Sequence, residues 1–189
     1  MTPFASLPRR ARLNRAALAA LLAVLVALSL PLPAADSPPA PAADSTDKAI
    51  DRTSFSLKYP SDWKEDTAAK DYKPDNNFTL NSAHNSYIQF NITTKSDDLK
   101  KVLDNAVFNL DGLAITTLSK SPLDQWGGYK GMGVHLKGKI LDSYPGGIRV
   151  FTFNTAHYNV LVVEFYYSQE LDPVLGEMDF IDQNFKMKD

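Results

Sequence analysis

The apolar positions of this chain fall into three regimes. An unbroken apolar run, AALAALLAVLVALSL, covers Ala16 to Leu30. From Asp36 to Asp47 the sequence DSPPAPAADSTD offers nothing to a core. From Ile50 onward the apolar residues return, spaced as folded elements space them.

Phe55, Leu57 and Tyr59 alternate with Ser54, Ser56 and Lys58, which predicts a half-buried strand over Thr53 to Tyr59. Pro60-Ser61-Asp62 ends it. A short strand is predicted over Phe78 to Asn81, and a clearer one over Ser86 to Thr93, with Ile88, Phe90 and Ile92 on one face. The period then changes. Leu99, Val102, Leu103, Ala106, Val107, Leu110 and Leu113 make one stripe at helical spacing, so Asp97 to Leu113 reads as a helix with Ser96 as its cap. Phe108 lies off that stripe.

Four more strands follow: Ile115 to Leu123, weakly patterned, then Tyr129 to Ile140, Gly147 to Thr155 and Tyr158 to Tyr167. Gly131 and Gly133 inside the second suggest close backbone approach or a bulge. Pro145-Gly146-Gly147 and Ala156-His157 read as tight turns, so the last three strands should form an antiparallel meander. YNVLVVEFYY is apolar on both faces, which implies a sheet covered on both sides. The second cover is a C-terminal helix. Asp172 and Pro173 suit its start, and Val174, Leu175, Met178, Ile181 and Phe185 form its stripe, with Phe180 off it. Gly176 disfavours its first turns. The expected fold is α+β, an antiparallel sheet sandwiched between helices.

Composition fits a globular chain, 44% hydrophobic and 22% charged. Charge changes the picture at the N-terminus. Arg9, Arg10, Arg12 and Arg15 precede the apolar run, no acid precedes Asp36, and Pro31 to Ala35 supplies a helix break and small residues. This is the layout of a secretory signal. The run is shorter than the roughly 20 residues of a spanning helix. Cleavage near Ala34 or Ala35 is expected, the alternative being an uncleaved anchor. The organisation read here is residues 1–35 signal peptide, 36–49 Pro/Ala-rich linker and 50–189 one domain. Without the four arginines, 16 basic face 22 acidic side chains, a net of −6 where the whole chain has −2. An acidic body argues against nucleic acid and against a polybasic membrane surface. The absence of cysteine excludes disulfides, thiolate chemistry and an acylated-cysteine anchor.

These elements resemble the PsbP/DcrB-like superfamily, which includes the photosystem II extrinsic subunit, bacterial DcrB-like proteins and a eukaryotic Ran-binding import factor. The resemblance rests on Phe55-Ser56-Leu57-Lys58-Tyr59-Pro60-Ser61-Asp62-Trp63, on Tyr129-Lys130-Gly131 with the meander after it, and on Phe180-Ile181-Asp182-Gln183-Asn184-Phe185-Lys186. It implies a PsbP-like α/β/α sandwich and, because members bind proteins or metal ions, a binding role. It implies no catalytic residues, and a fold does not fix a function.

Candidate chemistry is sparse. No G-x-S-x-G elbow, G-x-G-x-x-G or P-loop occurs. His84, His135 and His157 are too scattered for a zinc motif. Asp62, Glu65, Asp66, Asp71 and Asp75 lack calcium-loop spacing and read as a solvated loop. Glu164, between Val163 and Phe165, is either a carboxyl with a raised pKa or a partner of Arg149 on the next strand, and the ion pair is the expected reading. Phe108, Phe180 and Trp126 are the candidate binding residues, aromatic anchors for a protein partner, although Trp126 is expected to fold back over a sheet edge. No cofactor is expected. The function expected from sequence is a non-enzymatic accessory protein of the bacterial cell envelope, periplasmic or secreted, that binds an unidentified protein. A small-ligand or metal-binding module, and an enzyme using Glu164, are the alternatives.

Overall fold

The computed structural model describes residues 47–110, 115–140, 143–168 and 171–188. The expected signal segment, almost all of the expected linker and Leu113 of the expected helical stripe lie outside them. A seven-stranded sheet forms the centre. It contains β3 (Lys64–Glu65), β4 (Asn77–Asn81), β5 (Tyr87–Thr94), β6 (Ile115–Trp126), β7 (Tyr129–Ile140), β8 (Tyr144–Asn154) and β9 (Tyr158–Tyr167). Their order is β3-β4-β5-β9-β8-β7-β6, and every pairing is antiparallel. The meander β7-β8-β9 is the predicted one.

One turn differs from expectation. Pro145-Gly146-Gly147 lies inside β8, with Gly138 opposite Gly146. Pro145 has β7 beside it, whereas pairing to β9 begins at Gly146, so its missing N–H falls at a locally free edge. A Cβ on Gly147 would overlap the Tyr166 hydroxyl, so this glycine makes room for a ring. The predicted turn at Ala156-His157 is present, closed by Thr155 N–H to the Tyr158 carbonyl at 2.8 Å.

α1 (Leu99–Leu110) covers one face of the sheet. Its Leu103, Ala106, Val107 and Leu110 pack on Val134, Leu136, Ile148, Val150 and Phe165. Asp98, rather than Ser96, caps it: the Asp98 carboxylate accepts from the Lys101 N–H at 2.9 Å, while Ser96 Oγ accepts from the Asp98 N–H.

The opposite face has two covers, where sequence predicted one. α2 (Leu171–Asn184) buries Val174, Met178 and Ile181, and Phe185 is buried just beyond its end. It starts ahead of the expected cap at Asp172, and Gly176 sits within it facing open space. Beside it lies a small sheet of β1 (Lys48–Asp51), β2 (Phe55–Tyr59) and β10 (Lys186–Met187), in the order β1-β2-β10. Lys48 and Ala49 thus belong to a strand and not to the linker. Phe55 of the small sheet stacks on Phe78 at 5.0 Å, Phe78 on Phe90 at 4.7 Å, and Phe90 on Phe185 at 5.2 Å. These rings join the small sheet, the large sheet and the end of α2 into one core. Among the described residues the fold is α+β, mostly antiparallel sheet with two helices. No helix among the described residues is long and apolar enough to cross a membrane.

Candidate functional site

Cross-strand register builds a charged row on the α2 face. His135 on β7 stands opposite Arg149 on β8, and Arg149 opposite Glu164 on β9. Alternate residues of a strand share a face, so all three lie on the side of Phe151 and Val162. Glu164 is 0% exposed. Its Oε2 pairs with Arg149 Nε, and its Oε1 accepts from Trp126 Nε1 at 2.7 Å. The ion pair expected from sequence is therefore present, with an indole as a second partner.

α2 adds Asp179 and Asp182 from above. Asp179 Oδ1 reaches Arg149 Nη1 at 3.4 Å. Asp182 is 6% exposed, although its neighbours in Asp182-Gln183-Asn184 suggest a polar face. Burial, then the charge of Glu164 and a hydrogen bond to it, push the Asp182 carboxyl well above the usual carboxylate range. Two carboxyl groups can hydrogen-bond to each other only if the pair holds a proton between them. Burial works against the Arg149 charge, but Glu164, Asp182 and Asp179 more than offset it and raise its pKa. His135 lies beside this group, with Nε2 2.7 Å from the Tyr166 hydroxyl. Burial, Lys137 and Arg149 lower its pKa to about 4, so it is neutral at pH 7.

The β6–β7 turn locks the arrangement. Gly127 has φ 52°, a left-handed conformation, and a Cβ there would overlap the Asp182 carbonyl oxygen. This close approach holds Trp126 over Glu164. An open cavity of about 310 Å³ lies beside the cluster, lined by Leu123, Gln125, Trp126, Gly127, Arg149, Asp179, Asp182 and Gln183. Glu164 is beneath it and does not line it.

A second cavity, about 430 Å³ and mainly apolar, opens on the other side of the sheet. α1 contributes Leu103, Val107 and Phe108 to its wall, and the sheet contributes Lys120, Pro122 and Val134. Phe108 is 75% exposed at its mouth, and Leu118 on nearby β6 is 71% exposed. β6 is one of the sheet's two edge strands among the described residues. Its Pro122, its Lys120 and its two register shifts, at Thr117/Ser119 and Leu123/Gln125, are devices that discourage pairing along an open edge.

The three aromatic candidates thus meet different fates. Phe108 is exposed and lines the apolar groove. Phe180 is half-buried. Trp126 ends β6, is 4% exposed and donates its indole N–H to Glu164. The acidic loop is dispersed among local partners: Glu65 takes Arg52 and the Tyr72 hydroxyl, and Asp71 takes Asn77. Among the described residues, no cluster of three or more His, Asp or Glu is arranged to hold a metal ion. Asp182 was missed from sequence. Its signal was its position, four residues after the buried Met178 and next to the buried Ile181.

No protein-family model matches the sequence, and no curated protein matches it. Among solved structures the chain is similar to cyanobacterial PsbP (CyanoP) from Synechocystis sp. PCC 6803, at 10% identity and TM-score 0.49, over 79% of this chain and 96% of that one. It is similar to LpqN, involved in cell envelope biogenesis of Mycobacterium tuberculosis, at 12% identity and TM-score 0.49, over 77% and 92%. A protein of Bacteroides thetaiotaomicron VPI-5482 matches 71% of this chain at 10% identity and TM-score 0.47, and this chain spans 45% of that protein's length.

Proposed function

We propose that this chain is an exported, non-enzymatic accessory protein of the bacterial cell envelope, and that it binds a protein partner through the groove between α1 and β6–β7. The observation that carries the reading is Phe108, 75% exposed at the mouth of an apolar groove of about 430 Å³. A large aromatic beside a preformed apolar depression is the usual anchor of a binding hot spot. The basic stretch and apolar run before residue 36 support export. Lys120 and Asp104 flank the groove with opposite charges, which suits an apolar anchor with a mixed polar rim.

The test is a photo-crosslinker placed at Asn105 or Asn109 of the full chain, in cells. A discrete adduct that disappears in Phe108→Ser supports the reading. An adduct pattern unchanged by Phe108→Ser, together with an unaltered envelope phenotype, would sink it.

A further inference from the structure

The net charge of −6 after residue 35 averages over an uneven distribution. β6 and β7 hold four lysines, Lys120, Lys130, Lys137 and Lys139, against one acid, Asp124. The other residues from 36 onward hold 12 basic and 21 acidic side chains, a net of −9. All four lysines are exposed, and among the described residues none of them makes an ion pair. Register explains why for the outer two. Lys137 has Ser119 on one side and Gly147 on the other, and Lys139 has Thr116 and Pro145, so no carboxylate stands across from either. Burial depresses the pKa of the neighbouring His135, and Lys137 and Arg149 depress it further, as a locally positive region does.

Exposed apolar side chains gather at the same edge. Among the described residues the large ones are Leu118 on β6, Met132 on β7, Tyr144 opposite Ile140 at the end of β7, and Phe108 beside Lys120. Thr116 to Pro122 are all exposed, so β6 is uncovered on both faces of the sheet. Lys120 stands opposite Leu136 on the α1 face, whereas Lys137 and Lys139 occupy the alternate positions, on the α2 face. The edge is thus a ridge with basic groups on both flanks and Leu118 at its register shift. A small ligand would meet one flank only, whereas a broad anionic surface with an apolar interior meets both. Lysine is depleted from protein–protein interfaces, and Pro122 and the register shifts discourage an added strand, so a lipid surface suits this edge better than a protein does. We propose that the β6 edge, with Lys120, Lys137 and Lys139 flanking it, is the surface by which this chain lies on an anionic membrane. The acidic remainder, repelled by the same headgroups, keeps the chain edge-on. The proposal does not depend on a protein partner at the groove.

The test is co-sedimentation of the full chain with vesicles of phosphatidylcholine alone, and of equal parts phosphatidylcholine and phosphatidylglycerol. Variants carry the comparison, because the basic and apolar residues before residue 36 are common to all of them. Each of Lys120→Gln, Lys137→Gln and Lys139→Gln should weaken binding to the anionic vesicles by about fivefold, and the triple variant by roughly a hundredfold. Leu118→Ser should weaken it by about tenfold. Lys58→Gln with Lys64→Gln removes two exposed lysines of β2 and β3, away from this edge, and should leave binding unchanged. All of these positions are exposed, and thermal unfolding checks that each variant keeps the fold. Equal losses from the control pair and from the edge lysines would overturn the proposal, as would anionic-vesicle binding that the triple variant leaves intact. Tighter binding to polyglutamate than to vesicles, indifferent to Leu118→Ser, would also overturn it and assign the edge to an acidic protein.

Discussion

The two helices cover the same sheet by opposite means. α2 places Val174, Met178 and Ile181 at full burial and closes over a charged cluster. α1 has no fully buried residue, and it leaves Phe108 in solvent beside an open groove. One face of the sheet is committed to holding the fold, and the other keeps apolar surface in reserve. The difference follows from what each helix meets. α2 meets aromatic rings contributed by two sheets, whereas α1 crosses the aliphatic residues of β7 and β8 close to an unpaired edge.

The comparison can be broken most forcefully at Glu164. Glu164→Ala leaves the Arg149 guanidinium buried without its main partner and should cost about 3–5 kcal/mol in denaturant unfolding. Replacing both residues together, Arg149→Met with Glu164→Leu, should cost far less, because no unpaired charge remains. A double variant as damaged as the single one would show that the pair contributes more than mutual neutralisation. Phe185→Ala, at the junction of the ring stack, should also cost about 3–5 kcal/mol. Leu103→Ala on half-buried α1 should cost less than about 2 kcal/mol, and equal losses on the two faces would erase the contrast drawn here.

A smaller effect separates the faces by pH. Asp182 has a folded pKa raised above its unfolded value, so the folded state retains a proton that the unfolded state releases. Its contribution to stability is fully present below the ordinary carboxylate range and is lost as pH rises toward the raised folded value. Stability of the native chain should therefore fall with rising pH across neutrality, and Asp182→Asn, which keeps a donor to Glu164, should flatten that slope. An unchanged slope would mean that Asp182 is ionised in the fold. The smallest effect belongs to Phe108→Ser, within about 0.5 kcal/mol of the parent by thermal unfolding, as expected for an exposed position.

How far the sequence foretold this depends on the length of each element. β7 and β9 have their predicted bounds, because ten or twelve residues give periodicity room to show. β6 read weakly, since two register shifts scramble its alternation and hide that it runs on to Trp126. β1, β3 and β10 have four, two and two residues, too few for any period, and they exist only through distant partners. Gly131 and Gly133 suggested close approach, and a Cβ on either would run into the ring of Phe151. The Arg149–Glu164 pair was legible because neighbouring strands of a meander have a countable register. Trp126 over Glu164, 38 residues away in sequence, was not, because that contact depends on how α2 presses on the Gly127 turn.

The small sheet carries one more consequence. Ser56 on β2 faces Lys186 on β10, so one pairing closes a loop around nearly the whole domain. Such a closure has a high entropic cost before any contact rewards it, and chains built on distant pairings fold slowly. The meander can assemble from neighbours, but the contact of Phe55 with Phe185 joins residues 130 positions apart in sequence. Completion of the aromatic core at Phe55 thus depends on a contact between the two ends of the domain.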